Sequence, residues 1–264
     1  MVSRGFIIAV PEKYEKICYY NLLQIRLKFK ITLPIEIWQI GQEISDKYIE
    51  LYKKLDNIIF KNIYDYTDNP SHWKGFQIKA FILKHTELEE PILCDADIIF
   101  HQNPLIIYDD KNYIETGTYF FRDLARWKFF NLHKTDDKFQ SIDFYNKRKE
   151  FILELLPEKT PLFPKEWDYL YENEHPKMPV NEAYQESGVV YINKNIHPDI
   201  IDIIYQLNNN HTHTYNYIWG DKETFWLACL MANKKYSINN TYGYMSINFK
   251  LSHNYNNKLF FTQK

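Results

Sequence analysis

The sequence is poor in cysteine, which limits the covalent and metal-based ways of stabilising the chain. Its 264 residues include 3 cysteines, Cys18, Cys94 and Cys229, which lie far apart in apolar segments. A disulfide framework or a structural zinc site needs more cysteines at closer spacing. We therefore expect three reduced, buried thiols.

The sequence also lacks a strong charge of one sign and a long apolar run. It has 32 Lys and Arg against 34 Asp and Glu, a net charge of -2, so no basic footprint for nucleic acid or an anionic membrane is present. No apolar run could span a bilayer, and residues 5–10 are too few for the core of a signal peptide. These absences predict a soluble chain without a nucleic-acid partner or a transmembrane segment. We expect it to be cytoplasmic unless it was cut from an anchored parent.

Glycine is scarce, whereas aromatic residues are abundant. The chain has 7 Gly against 22 Tyr and 18 Phe, and 45% of its residues are hydrophobic. This composition is sufficient for a large core, and the length allows one large domain or two small ones. No repeat, low-complexity tract or linker divides the chain, so we expect one domain.

Apolar spacing predicts an alternation of strands and helices. The predicted strands are 6–10, 35–40, 57–60, 92–94, 113–121 and 189–193, and the predicted helices are 12–30, 46–55, 71–85, 142–156, 225–235 and one beginning at 198. A β–α–β order is typical of a parallel sheet with crossover helices. The prolines between 157 and 179 interrupt the pattern, which indicates an insertion around 122–180. The fold class predicted is therefore α/β.

The most informative stretch is a pair of acids inside apolar sequence, Asp95 and Asp97, with Ala96 between them. Residues at positions i and i+2 of a strand point to the same face. Two carboxylates about 4 Å apart repel by about 4 kcal/mol at an effective dielectric near 20, and a hard divalent cation removes that cost. The stretch predicts either a metal site that holds a phosphorylated ligand or two solvated acids at a turn.

Three further polar residues have both a structural and a functional interpretation. Lys79, on the helix before the acidic strand, is either a solvated helix lysine or a partner for phosphate. Asp221 is a natural N-cap for the helix that follows, but capping does not explain the neighbouring Lys222. His253 stands alone in its segment, and a lone histidine is more often structural or exposed than a ligand.

Seven segments, in this order, carry a resemblance to a known family. They are Arg4–Ile8, Leu33–Trp38, Gly75–Lys79, Leu93–Asp97 with Asn103–Pro104, Glu115–Phe120, Glu186–Val190 and Gly220–Phe225. With them the sequence resembles the mannosyltransferase family typified by the fungal outer-chain α-1,2- and α-1,3-mannosyltransferases. Those are GT-A glycosyltransferases, distantly similar to the glycogenin-type retaining enzymes. The segments extend to about residue 235, and the tail beyond matches poorly.

The resemblance implies a single GT-A domain over residues 1–264 with a mostly parallel central sheet. It implies a metal-dependent retaining glycosyltransferase that moves a hexose, with mannose favoured, from a nucleotide-diphosphate sugar to a hydroxyl of a glycan or glycoprotein. The implied cofactor is Mn²⁺ or Mg²⁺, and the implied donor is GDP-mannose or a UDP-sugar. The fungal members carry a membrane anchor, so its absence here fits a viral or microbial cytoplasmic enzyme better than a Golgi one.

The resemblance also assigns roles to individual residues. The implied metal ligands are Asp95, Asp97 and His253. The residues implied to bind the nucleotide-sugar donor are Ile8, Ala9, Val10, Lys79, Asp95, Ala96, Asp97, Ser187 and Gly188. The implied catalytic residues, which would lie beside the reacting anomeric carbon, are Asp221, Glu186 and Lys222.

Two other functions stay open at this point. The same acids could serve a nucleotide-sugar hydrolase or a phosphoryl-transfer enzyme. The fold could also belong to a catalytically silent glycan-binding protein, in which exposed tryptophans form sugar platforms. The candidates for such platforms are Trp73, Trp127, Trp167 and Trp219.

Overall fold

The computed structural model describes residues 2–124, 142–171, 184–246 and 249–263. Within them, ten strands form one sheet in the order β3-β2-β1-β4-β7-β6-β8-β9-β10-β5. The strands are β1 Arg4–Ala9, β2 Ile35–Gln39, β3 Ile58–Asn62, β4 Glu90–Asp95, β5 Ile98–Phe100, β6 Thr118–Leu124, β7 Gln185–Ile192, β8 Ile238–Met245, β9 Leu251–Tyr255 and β10 Lys258–Gln263.

The first four strands form the parallel half of the sheet. β1 pairs in parallel with both β2 and β4, and β2 pairs in parallel with β3. These are the strands that the β–α–β pattern predicted. β7 then runs antiparallel to both β4 and β6, so the sheet is mixed rather than mostly parallel. β8, β9 and β10 follow one another through short connections and pair antiparallel, which adds to the mixed character of this half of the sheet.

The helices lie on the two faces of this sheet. They are α1 Glu15–Leu23, α2 Asp46–Lys53, α3 Ile78–His85, α4 Lys111–Thr116, α5 Ile142–Leu155, α6 Pro198–Asn209, α7 His211–Thr214 and α8 Thr224–Met231. Successive strand residues alternate between faces: Phe6 and Ile8 join one hydrophobic cluster and Ile7 joins the other. Each face of β1 is therefore buried, which is why its apolar run is unbroken. None of the helices in the described ranges is long and apolar enough to cross a membrane.

Two predicted elements differ from the structure because local backbone signals override the apolar pattern. The predicted helix 71–85 is divided into a 3₁₀ turn at Pro70–Trp73 and α3, because Gly75 has a φ of 132° that no helix accommodates. The predicted strand 113–121 begins as α4, which Asp110 caps by accepting the Asn112 backbone N–H at 2.7 Å. Gly117, with a φ of 67°, ends that helix before β6.

The predicted insertion lies partly outside the described residues, as does Trp127. Its described part contains α5, as the spacing predicted, and a 3₁₀ helix at Lys165–Leu170. The short helix α7 follows closely after α6.

The tail that matched the family poorly forms the last three strands. β8 pairs with β9, β9 with β10, and β10 with β5, all antiparallel. Because β5 directly follows the Asp95–Ala96–Asp97 segment, this pairing brings the end of the chain to the acidic pair.

Candidate functional site

The acidic pair lies at the carboxyl end of the parallel strands. Asp95 is the last residue of β4 and stands opposite Ala9, the last residue of β1. Ala96 and Asp97 form the turn that leads into β5. The carboxyl ends of parallel strands in open α/β sheets are where ligands bind. The structure therefore places the pair at a sheet edge suited to a ligand.

Lys79 is a buried lysine that joins three segments at this edge. Its Nζ is 2.8 Å from Asp95 Oδ1 and 3.2 Å from Asp221 Oδ2. It also donates to the Ser187 backbone carbonyl at 3.1 Å and to Ser187 Oγ at 3.0 Å. Burial by itself would lower the pKa of Lys79, but Asp221 and Asp95 raise it above its usual value. Lys79 is thus a permanently charged site residue and not a solvated helix lysine.

The charged form of both aspartates, Asp95 and Asp97, is unfavourable in this site. Burial raises the pKa of Asp95 to about 7; Lys79 opposes the rise, and Asp221 and Asp97 add to it. Burial also raises the pKa of Asp97, whose side chain is 5% exposed. Such shifts indicate carboxylates that lack sufficient positive charge around them.

A second lysine–acid cluster adjoins the first. Lys222 Nζ is 2.6 Å from Glu186 Oε2 and 2.9 Å from Asp123 Oδ2. The other Glu186 oxygen accepts the Gly188 backbone N–H at 2.9 Å. Burial by itself would raise the pKa of Glu186, but Lys222 outweighs it and lowers the pKa to about 2. Burial raises the pKa of Asp123 despite Lys222.

These contacts leave the site with excess negative charge. Five buried or nearly buried carboxylates face two lysine ammonium groups: Asp95, Asp97, Asp123, Glu186 and Asp221 against Lys79 and Lys222. Uncompensated buried charge is costly, and a hard divalent cation prefers carboxylate oxygens. The donor set at Asp95 and Asp97 therefore fits Mn²⁺ or Mg²⁺.

The structure does not bring His253 into a metal site with the aspartates. Among the described residues, no group of three or more His, Cys, Asp or Glu side chains is placed so that it could hold a metal ion. The His253 ring stacks on Phe261 with 4.5 Å between ring centres, and neither ring nitrogen has a hydrogen-bond partner within the described part of the chain. Burial lowers the pKa of His253 to about 4. His253 is thus a neutral, buried residue beside the Glu186–Lys222 cluster.

Asp221 does not act as the helix cap that its position suggested. Helix α8 begins at Thr224, and among the described residues its N-cap position is held by Glu223, whose side chain makes no capping hydrogen bond. The Asp221 backbone carbonyl accepts from Thr224 N–H at 3.0 Å, while its carboxylate points to Lys79. Capping therefore does not account for the Asp221 side chain.

A cavity of about 430 Å³ opens beside the acidic pair. Its lining residues come from the end of β1, the loop after β2, the segment before α3 and the acidic turn: Ala9, Val10, Pro11, Lys13, Tyr14, Ile40, Glu43, Lys74, Gly75, Phe76, Ile78, Lys79, Cys94, Asp95, Ala96, Asp97 and Gln263. Of the three predicted donor-binding residues in β1, Ala9 and Val10 line it. Ile8 does not, because its side chain points into the hydrophobic core.

Two residues of the site were missed by sequence reasoning. Asp123 lies in the apolar strand β6, and an acid in such a strand is the same signal that singled out Asp95. Gln263 donates from Nε2 to Asp95 Oδ2 at 3.1 Å. No local pattern around Gln263 indicates this role, because strand pairing brings it there.

Two of the four tryptophans predicted as sugar platforms lie inside the protein, whereas Trp219 is half-buried. Trp73 is 2% exposed and Trp167 is fully buried. A sugar cannot stack on a ring that the core already covers, so these two side chains do not support a glycan-binding surface.

A known family matches almost the whole chain. The family described as "Mannosyltransferase putative" matches residues 3–258. The chain belongs to this family. The match includes part of the tail that carried little of the resemblance.

Two fungal relatives illustrate the relationship. "Putative alpha-1,3-mannosyltransferase MNN15" of Candida albicans is 30% identical over 200 residues, which cover 74% of this chain and 25% of that protein. Alpha-1,3-mannosyltransferase MNT3 of Saccharomyces cerevisiae is 25% identical over 249 residues, which cover 90% of this chain and 39% of that protein. The family member described here thus spans less than half the length of either relative.

Solved structures show the fold. Core-mannan synthase A (CmsA/Ktr4) from Aspergillus fumigatus, in its Mn/GDP form, superposes with a TM-score of 0.59 at 10% identity over 98% of this chain and 76% of that one. The mannosyltransferase Ktr4p from S. cerevisiae gives a TM-score of 0.51 at 11% identity, over 86% of this chain and 65% of that one. These likenesses confirm an α/β GT-A fold for this family member.

Proposed function

We propose that the protein is a metal-dependent retaining mannosyltransferase that takes mannose from GDP-mannose and transfers it to a hydroxyl of a glycan. The observation that carries this proposal is the position of Asp95, Asp97 and Lys79 at the edge of the 430 Å³ cavity. Membership of the mannosyltransferase family supports the reaction. The Mn/GDP form of core-mannan synthase A supports the cofactor and the nucleotide.

Each part of the site has a role in this reaction. Ala9, Val10 and the loop after β1 hold the nucleoside at the carboxyl end of the sheet. Asp95 and Asp97 hold a divalent cation, which when bound neutralises charge on the leaving nucleoside diphosphate. Lys79 keeps Asp95 and Asp221 in place and contributes a fixed positive charge at the diphosphate end of the cavity.

The second cluster positions groups around the transferred sugar. Glu186 uses one oxygen for the Gly188 N–H and the other for Lys222. A carboxylate so engaged is a weak base and a poor nucleophile. We therefore favour a same-face transfer, in which an oxygen of the leaving phosphate takes the proton from the acceptor hydroxyl. Asp221 and Lys222 hold the groups that surround the reacting carbon.

Ligand binding can be tested without knowing the acceptor. We expect GDP-mannose with Mn²⁺ to raise the thermal midpoint, because ligand at a hundred times its dissociation constant stabilises by about 2.7 kcal/mol. UDP-glucose, UDP-galactose and UDP-N-acetylglucosamine with Mn²⁺ form the comparison set. Stabilisation by a UDP-sugar but not by GDP-mannose would overturn the proposed donor while leaving the metal site standing.

The proposed binding of a metal ion by Asp95 and Asp97 can be tested by substitution. Asp95→Asn or Asp97→Asn should abolish Mn²⁺-dependent transfer of mannose from GDP-mannose while the fold stays intact, because an amide removes the charge that holds the cation. The measurement is product formation with and without Mn²⁺, beside a circular dichroism spectrum. Asp202→Asn is the matched control, since Asp202 forms an exposed ion pair with Lys84. Wild-type activity in either site variant would contradict the proposal.

A further inference from the structure

Gln263 reaches the acidic pair because of the register of the last strand. β10 pairs antiparallel with β5, and this pairing sets Gln263 opposite Ile98, the residue after Asp97. Phe261, two residues earlier, is fully buried on the same face of the strand. The buried Phe261 side chain therefore anchors β10 and fixes where Gln263 points.

The Gln263 side chain bridges the two carboxylates. Its Nε2 lies 3.1 Å from Asp95 Oδ2 and 3.4 Å from Asp97 Oδ1. The first of these is a good hydrogen bond and the second a long one. One amide nitrogen thus occupies the position between two acids that repel each other.

The space on the other side of the amide is left open by a glycine. A Cβ added to Gly188 would come within 3.1 Å of Gln263 Oε1. Any larger residue at this position would crowd the amide. Gly188 therefore provides the room in which the Gln263 amide fits.

No histidine, cysteine or further acid in the described ranges completes a three-residue metal group with Asp95 and Asp97. Among the described residues, Gln263 hydrogen-bonds to both. We propose that Gln263 is the third protein ligand of the divalent cation held by Asp95 and Asp97, an inference that rests on the proposed metal-dependent function. Without the cation its amide N–H group holds the two acids together, and with the cation its amide oxygen faces the metal.

The chemistry of the amide suits this exchange. A side-chain amide presents a donor nitrogen and an acceptor oxygen of nearly the same size, and rotation about its last bond exchanges them. Amide carbonyl oxygens are ligands that hard divalent cations accept beside carboxylates. An amide also adds no charge to a site that already holds excess negative charge.

Three variants separate a metal ligand from a residue that only holds β10 in place. Gln263→Met keeps the length of the side chain but removes both polar atoms. Gln263→Glu keeps an oxygen ligand and removes the N–H donor. Gln102→Met is the matched control, because the Gln102 amide donates to the Lys258 and Leu259 backbone carbonyls at the start of β10 and lies away from the acidic pair.

The experiment measures Mn²⁺ binding to the full chain by electron paramagnetic resonance of free Mn²⁺, alone and with saturating GDP. We expect Gln263→Met to weaken Mn²⁺ binding by about 10- to 100-fold, the range seen when groups that support a metal site are lost. Gln263→Glu should bind Mn²⁺ at least as tightly as the parent, and Mn²⁺ should raise its thermal midpoint by more than that of the parent. Gln102→Met should bind Mn²⁺ like the parent.

The possible failures are distinguishable. If Asp97→Asn weakens Mn²⁺ binding but Gln263→Met binds as the parent does, Gln263 is not a ligand and the proposed function stands. Weak binding in both Gln263→Met and Gln263→Glu would also overturn the ligand role, since only the donor nitrogen would then matter. If the parent itself binds no Mn²⁺ with GDP present, both the inference and the metal-dependent function fail.

Discussion

Each buried lysine of the site holds acids that come from distant parts of the chain. Lys79 joins Asp95 to Asp221, and Lys222 joins Asp123 to Glu186. Burying these groups is expensive, and removing one partner leaves an uncompensated charge in the interior. A fold selected for stability alone has little reason to carry such clusters, whereas a site that receives a charged ligand does.

His253 allows a prediction about pH at the residue scale. Its pKa falls from 6.5 to about 4 on folding because burial disfavours the charged ring. Below pH 6.5 His253 is protonated in the unfolded chain but stays neutral in the folded chain. The free energy of unfolding therefore decreases as the pH falls towards 4. At about 1.4 kcal/mol per pKa unit, His253 lowers the free energy of unfolding by about 2 kcal/mol between pH 7 and pH 5.

The measurement is urea unfolding of the parent and of His253→Phe at pH 7 and pH 5. The variant cannot be protonated at this position, so its free energy of unfolding should fall by about 2 kcal/mol less than that of the parent over this interval. Equal losses in the two proteins would show that His253 is not buried as a neutral ring.

At the scale of elements, two glycines decide where helices stop. Gly75 interrupts the predicted helix 71–85. Because of this interruption, Gly75 and Phe76 lie in the wall of the cavity. Gly117 ends α4 and lets the chain turn into β6. Apolar spacing does not register either event, because a positive φ depends on the missing Cβ and not on hydrophobicity.

Gly117 supports a prediction at this scale. Gly117→Ala should lower the free energy of unfolding by more than the roughly 1–2 kcal/mol that a left-handed alanine costs. The reason for the excess is that the added Cβ would lie 3.0 Å from His197 Nε2. Gly41→Ala is the matched control, since Gly41 has a φ of 65° and the nearest atom to its added Cβ lies at 3.4 Å. Equal urea midpoints for the two variants would contradict the steric argument.

At the scale of the whole molecule, one sheet connects the beginning of the chain to its end. β1 supplies Ala9 to one wall of the cavity, and β10 supplies Gln263. The last strand is also part of the core, because Phe260 and Phe261 are fully buried. The tail therefore contributes both to the core and to the lining of the cavity, although it carried little of the resemblance to the family.

Deleting residues 258–264 should prevent folding. The deletion removes two buried phenylalanines, each worth roughly 3–5 kcal/mol in a core, from a domain of about 5–15 kcal/mol total stability. It also leaves the edges of β5 and β9 unpaired, which favours aggregation. Soluble yield and a thermal melt measure the effect, and deletion of residue 264 alone is the control. A cooperative melt near the parent midpoint would contradict the prediction.

The sequence by itself determined the parallel β–α–β start of the fold, the positions of Asp95 and Asp97 at a strand end, and the family. These features are local: an apolar run of strand length, two acids inside it and short ordered motifs can all be recognised without knowing how the chain folds. The mixed half of the sheet, the lysine–acid clusters and the contact of Gln263 with both aspartates were decided by tertiary structure. They depend on contacts between residues that are distant in sequence, up to 168 positions for Gln263 and Asp95, and no local pattern encodes such a register.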